Sequence, residues 1–244
     1  MKRILLHSKG RMCNQLGAWI KAMVKLRSHL HEVEFLLNYP PLEGIVELPK
    51  TKFCNIDDTK NWKPYCFGDE IRDECVWDED DLWNQYVPHE DFCHELPLIK
   101  LNPSVTDEVD ALMAGSSFIG CHVRYGDYIK VNWDAPPINL PAFPRIGNDY
   151  YLSNLQACQS IFPNHKVFLA SDGTDEELSW FPENCVRNRK NANAALDLYA
   201  LSRCEVIVGS LSTFSLFAAF YGRRPFVVPG RTIAEIQSQL KGST

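Results

Sequence analysis

Four clusters of polar residues carry the chemistry open to this chain, and each follows directly on a short apolar run. Ser8-Lys-Gly-Arg-Met-Cys-Asn-Gln15 comes after residues 4–6, and His122-Val-Arg-Tyr-Gly-Asp-Tyr128 closes the run that begins at Phe118. Ser171-Asp172 closes 166–170, and Gly209-Ser-Leu-Ser-Thr-Phe-Ser215 closes 205–208. The first cluster holds Gly10 in a loop that opens a helix, where backbone N–H groups without helical partners make a ready site for an anion. Asn14 and Gln15 add side-chain donors at the same place. Ligands of open parallel sheets bind beyond the carboxyl ends of strands, so four such clusters on one edge form a ligand cleft. From the residues alone, the chemistry is the binding of something phosphorylated.

The elements that position these clusters follow from hydrophobic spacing. Residues 4–6 read as a short strand. Leu16, Ile20, Met23, Val24 and Leu26 recur at helical spacing and predict a helix from Asn14 to about Leu30. Residues 33–37 are a second strand, stopped by Tyr39-Pro40-Pro41, so the chain opens as a βαβ unit. Between 42 and 100 periodicity is poor, and Asp78-Glu79-Asp80-Asp81 is the densest charge cluster. Irregular structure with short helices is expected there. Further on, strands at 118–123, 166–170, 205–208 and 224–228 alternate with helices at 107–113, 149–161, 194–202, 214–221 and from about 232, with a Pro-rich loop over 132–145. Thr174, with Glu177 three residues on, has the form of a capping box for one more helix. The alternation argues an α/β fold, a parallel sheet with helices on both faces.

Bulk properties narrow the classes. The 244 residues are 45% hydrophobic and 23% charged, ordinary globular proportions. That length admits one large domain or two of about 100–150 residues each. A net charge of −6 without a run of Lys or Arg argues against a nucleic-acid partner. The apolar run at the amino end is too short for a signal peptide, and no stretch approaches the ~20 apolar residues of a membrane span. A soluble, cytoplasmic protein is expected. Nine cysteines, odd in number and without C-x-x-C, are expected to be apolar thiols rather than disulfides or zinc ligands.

Four motifs in order resemble a known family. Gly10-Arg-Met-Cys-Asn-Gln-Leu-Gly17 is similar to the Gly-rich G-N-Q opening of the α-1,2-fucosyltransferases, and His122-Val-Arg-Tyr-Gly-Asp-Tyr128 resembles their H-x-R-R-G-D-Y signature. Val167-Phe-Leu-Ala-Ser-Asp172 resembles their third motif. Ala195-Leu-Asp-Leu-Tyr-Ala-Leu-Ser202 with Ile207-Val-Gly-Ser-Leu-Ser-Thr-Phe-Ser215 resembles their last. The resemblance implies a GT-B-like fold of two Rossmann-type halves with parallel sheets facing a cleft. Residues 1–103 would take the acceptor side and 104–244 the nucleotide sugar, with the last helix packing back on the first half. It implies inverting, metal-independent transfer of L-fucose from GDP-fucose to a glycan hydroxyl, with donor and acceptor as partners and no separate cofactor. Carried over residue by residue, Arg124 grips the β-phosphate and stabilises charge gathering on the departing GDP. Asn14, Gln15 and the Gly10 loop lie beside the pyrophosphate, and Ser212 and Thr213 donate hydroxyls to it. Asp197 accepts from guanine N1 and N2, His122 sits beside the base, and Asp172 belongs to the same binding set. Asp127, and after it Asp134, are the candidates for a base on the acceptor hydroxyl.

The chain also departs from the family pattern. Tyr125 stands where the second arginine is usual, Lys9-Gly-Arg-Met-Cys13 replaces a Gly-Gly-Leu-Gly opening, and Leu216-Phe217 replaces a tryptophan pair. These changes leave two alternatives open: a transferase using another nucleotide sugar, and a non-catalytic nucleotide- or glycan-binding protein on a degenerate transferase fold. Each residue also has a plainer role. Arg124 can be a structural partner of an acid, His122 a satisfied core histidine, Asp197 a solvated helix acid, and Asp172, Ser212 and Thr213 helix caps. Asp78-Glu79-Asp80 matches the D-x-D of metal-dependent (GT-A) transferases in form, but its charge-rich setting reads as a solvated acidic loop.

Overall fold

The computed structural model describes residues 1–7, 11–54, 61–126, 129–130, 144–187 and 193–229. The chain divides into two compact units, Met1–Val105 and Thr106–Thr244. The first contains β1 (Lys2–His7), α1 (Met12–Lys25), β2 (Val33–Leu37), β3 (Val46–Glu47), β4 (Thr51–Phe53), β5 (Lys63–Tyr65), β6 (Glu74–Asp78), α2 (Glu79–Asn84), α3 (His89–Glu95) and β7 (Lys100–Leu101). Its sheet runs β4-β2-β1-β6-β5 with every pairing parallel. Ile4, Leu5 and Leu6 of the central strand are all buried, as both faces of a parallel strand usually are. Trp19 of α1 is fully buried and donates its indole N–H to Thr51 Oγ1 at 2.8 Å, which fixes α1 against the sheet.

Two expectations need correction here. The first helix starts two residues early and ends at Lys25; a single 3-10 turn at Arg27–His29 comes next, tied by Arg27 to Glu95 at 2.7 Å. Among the described residues of 42–100 the expected short helices are present as α2 and α3, but β4, β5 and β6 add strands that complete the parallel sheet. Their lengths of three to five residues leave too short a run for periodicity to register.

Helix α4 (Pro103–Met113) leads into the second unit. That unit contains β8 (Phe118–Val123), β9 (Ile129–Lys130), β10 (Pro144–Arg145), α5 (Asn148–Ile161), β11 (Lys166–Ser171), β12 (Val186–Arg187), α6 (Ala194–Arg203), β13 (Val206–Gly209), α7 (Thr213–Gly222) and β14 (Phe226–Val227). The sheet order is β12-β11-β8-β13-β14, again all parallel. All six residues of β8 are buried. From β8 the chain builds outward through β11 and β12, then returns to lay β13 and β14 on the other side. The order therefore reverses between β8 and β13, where an open α/β sheet leaves a crevice for ligands. Thr174 and Glu177 form the reciprocal capping box (3.0 and 3.2 Å), but they open a series of turns rather than a helix. Most of the Pro-rich loop and the expected helix from 232 lie outside the described residues. Among those described, no helix is long and apolar enough to cross a membrane.

Candidate active site

Arg124 and Tyr125 leave the carboxyl end of β8, and Asp172 leaves the carboxyl end of the neighbouring β11, whose Ser171 lies in register with Val123. Adjacent parallel strands ending together bring the three residues into contact. The Arg124 guanidinium is ion-paired with Asp172 Oδ2, and Tyr125 N–H donates to Asp172 Oδ1 at 2.8 Å. Space around the pair is tight. A Cβ at Gly126, whose φ is +22°, would come 2.5 Å from Asp172 Oδ2, so only glycine lets the backbone turn here. A Cβ at Gly173 would strike the Tyr125 ring at 2.6 Å.

Tyr125 is a buried hub of this corner. Its hydroxyl donates to the Glu177 carbonyl (2.8 Å) and accepts from Trp180 Nε1 (2.7 Å). The Arg145 guanidinium lies 4.3 Å over its ring and reaches Glu177 at 3.4 Å. The segment 172–180 is thereby clamped to the residue after Arg124, which holds Asp172, and through it the guanidinium, in place.

Across the crevice, β13 brings a second set. Ser210 N–H donates to the His122 carbonyl at 3.2 Å, closing the loop after β13 against β8. His122 is 5% exposed, its Nδ1 lies 2.5 Å from Ser215 Oγ, and its ring lies 4.8 Å from that of Phe214. Burial pushes its pKa down to about 3; nearby Asp172 opposes that shift and Arg124 adds to it. The ring is therefore neutral, a satisfied core histidine that fastens α7 to the sheet. Ser212 is the N-cap of α7, its side chain accepting from Phe214 N–H at 3.2 Å, and Thr213 is the first helical residue. The amino end of α7 thus meets the crevice with its dipole positive and two hydroxyls beside it.

Asp197 occupies the first turn of α6 and is partly buried rather than fully solvated, between the buried Leu196 and Leu198. Burial raises its carboxyl to about 7, against the pull of Arg187, which itself pairs with Asp175 at 2.9 Å and donates to the Gly173 carbonyl at 2.8 Å. Hydrophobic spacing gave no role to Arg187 or Ser215, and Tyr125 stood out only as a departure from the resembled signature, since a positioning role depends on partners far away in sequence.

In the first unit, Asn14 and Gln15 both lie in the first turn of α1, with their backbone N–H groups bonded to the Arg11 carbonyl. Gln15 is buried, 2% exposed, on the packed side of the helix, while Asn14 is only partly covered. Asp78 is not part of an acidic loop: it ends β6, caps α2 by accepting from Asp80 N–H at 3.0 Å, and meets His7 at 3.3 Å. Asp81 is likewise engaged, by Trp77 Nε1 at 2.6 Å and Phe67 N–H at 3.0 Å. Among the described residues no group of three His, Cys, Asp or Glu side chains is gathered to hold a metal ion. Gly10, Asp127 and Asp134 lie outside the described residues.

Comparison by structure identifies the fold. The chain is similar to a fucosyltransferase, NodZ from Bradyrhizobium, at 15% identity over 95% of this chain and 97% of that one, with a TM-score of 0.59. It is similar to POFUT1 in complex with GDP-fucose at 12% identity over 95% and 98% of the two chains, with a TM-score of 0.60. The chain has the GT-B fold of these fucosyltransferases. A crystal of NodZ α-1,6-fucosyltransferase soaked with GDP-fucose matches with a TM-score of 0.57 at 16% identity, over 92% of this chain and 93% of that one. No family model matches the chain, and no curated protein matches it in sequence. The likeness is carried by the fucosyltransferase fold rather than by one linkage group, since the solved relatives include an α-1,6 enzyme.

Proposed function

We propose that this chain is an inverting glycosyltransferase that moves L-fucose from GDP-fucose onto a glycan hydroxyl without a metal ion. The observation that carries the reading is Arg124. It stands at the carboxyl end of the central strand, beside the point where strand order reverses, and is oriented by Asp172 in a fold shared with fucosyltransferases, two of them solved with GDP-fucose. Its planar fork suits a pyrophosphate oxygen, and its charge offsets that gathering on GDP as the glycosidic bond breaks. Ser212, Thr213 and the amino end of α7 supply further donors to the pyrophosphate from the opposite side of the crevice. Asp197, ionised, accepts from guanine N1 and N2; burial holds this carboxyl ready to change charge near neutrality. The second unit takes the donor and the first the acceptor, with Asn14 and the Gly10 loop as the first unit's candidate polar contacts. Asp127 is the candidate base. The motif order in the sequence favours the α-1,2 group among fucosyltransferases.

Tyr125 in place of an arginine favours a second reading, a nucleotide- or glycan-binding protein without turnover. One experiment separates the two: release of free nucleotide from a panel of GDP- and UDP-sugars in EDTA, with and without glycan acceptors, for the wild type and Arg124→Ala. The transferase reading expects GDP release from GDP-fucose that EDTA leaves unchanged and Arg124→Ala abolishes. GDP binding without turnover on any donor and acceptor pair would instead establish the second reading, and activity retained by Arg124→Ala would refute the role of Arg124.

A further inference from the structure

We infer that the first unit carries a binding site for a neutral saccharide, set against one face of its sheet. A hollow of about 330 Å³ opens there, within the ~300–1,000 Å³ range of small-ligand sites. It is built by register: Arg3, second in β1, lies opposite Glu34, second in β2, and opposite Glu74, first in β6. Lys52 of β4 extends the row by pairing with Glu34 at 2.9 Å, and Arg3 is ion-paired with Glu74.

The lining states its ligand chemistry. Two cations and two anions cancel, so the hollow offers a net charge to no ion. What remains is hydrogen-bonding capacity. A guanidinium has five N–H donors and a carboxylate about four acceptor sites, and one pairing contact occupies few of them. Planar forks of both kinds side by side match the paired hydroxyls of a pyranose. Trp62, partly covered, lines the same hollow with the Arg3 guanidinium 5.3 Å from its ring centre, and Leu36 and Phe53 give it an apolar floor. An indole and a few apolar side chains beside convergent polar groups suit a ring whose edges are hydroxylated and whose faces are C–H. The occupant is thus one or two pyranose units of a neutral oligosaccharide, whatever reaction the second unit performs.

The test is saturation-transfer NMR and calorimetry on the full chain with maltotetraose, cellotetraose and lacto-N-tetraose, with sialyllactose and glucosamine as charged counterparts. At least one neutral tetrasaccharide should bind with an affinity insensitive to salt. Trp62→Ala should weaken it by about tenfold or more, Trp62→Phe should restore part of it, and Glu34→Gln should weaken it on an intact Trp62. GDP binding and melting temperature of the Trp62 variants should match the wild type, which keeps misfolding apart from loss of the site. No binding by any neutral probe, binding that survives Trp62→Ala, or preference for a charged probe that disappears in salt would each overturn the inference.

Discussion

Asp197→Asn tests the partly buried carboxyl of α6 through its pH dependence. Burial raises the Asp197 carboxyl from 3.8 to about 7 in the ligand-free protein. Between those values the folded state holds a proton that the unfolded state has released, so stability from this group is full below about pH 4 and is lost as pH rises to about 7. Three pH units at ~1.4 kcal/mol each set the loss at no more than ~4 kcal/mol. Asparagine resembles the protonated acid in shape and never ionises. Asp197→Asn should therefore match the wild type near pH 4, gain on it progressively to pH 7, and stay ahead by a constant margin above, roughly 10 °C in Tm at the full value. Thermal melts of both proteins across that range measure the difference, and taking the difference cancels every other titrating group. Guanosine, which has no phosphate to titrate, supplies the ligand arm: its affinity for the wild type should rise with pH up to about 7 as Asp197 ionises, and the variant should lose preference for guanosine over adenosine. A Tm difference that is flat with pH would refute the burial argument. Guanosine affinity unchanged in the variant would refute Asp197 as the guanine contact.

Three further perturbations arise from contacts around the crevice. Tyr125→Phe removes the hydroxyl shared by the Glu177 carbonyl and the Trp180 indole and should cost about 1–3 kcal/mol in chemical denaturation; an unchanged midpoint would show that the clamp on segment 172–180 contributes nothing. Tyr125→Arg introduces the arginine that the resembled α-1,2-fucosyltransferase signature carries there but buries a charge among Ile146, Tyr151 and Phe181, so it should lower both stability and nucleotide turnover; a rise in turnover would refute the hub. Gly222→Ala drives a Cβ to 2.0 Å from the Ser202 carbonyl and separates α6 from α7, so it should destabilise by several kcal/mol and weaken GDP binding with it, read by melting and titration.

The longer strands and helices of the second unit were legible in the sequence, though not β12 or the turns after Thr174, and the first unit only in part, for reasons visible in particular strands. Phe118–Val123 and Lys166–Ser171 are six-residue apolar strands ended by polar clusters, long enough for period and boundary to be read. Thr51–Phe53 and Lys63–Tyr65 have three residues each, the second with a proline at its centre, and become strands only because β2 and β6 are there to pair with. Propensity cannot anticipate a partner. The same limit applied to Asp78, whose acidic neighbours suggested solvent although it closes a strand and caps a helix. It applied most to roles rather than places. That Asp197 is partly buried depends on how α6 packs, and His122 is spent on Ser215, a residue 93 positions further along the chain.

Tyr125, where the resembled signature has a second arginine, is best understood through its surroundings. A second arginine beside Arg124 would need a carboxylate or a phosphate to answer its charge, whereas the corner here is closed by Leu178, Phe181 and Tyr151, which answer an aromatic ring. The basic group is not lost from the neighbourhood, since Arg145 packs on the face of that ring and is held by Glu177. Asp172 shows what the exchange preserves: one oxygen is fixed by the Tyr125 backbone N–H, which any residue but proline would supply at that position, and the other aims Arg124. Orientation of the single arginine therefore depends on the backbone at 125, and the tyrosine side chain serves to keep that backbone still. Under the proposed function, a site built this way sets Arg124 at the crevice and leaves the α7 amino end, with Ser212 and Thr213, as the candidates for the further anion contacts.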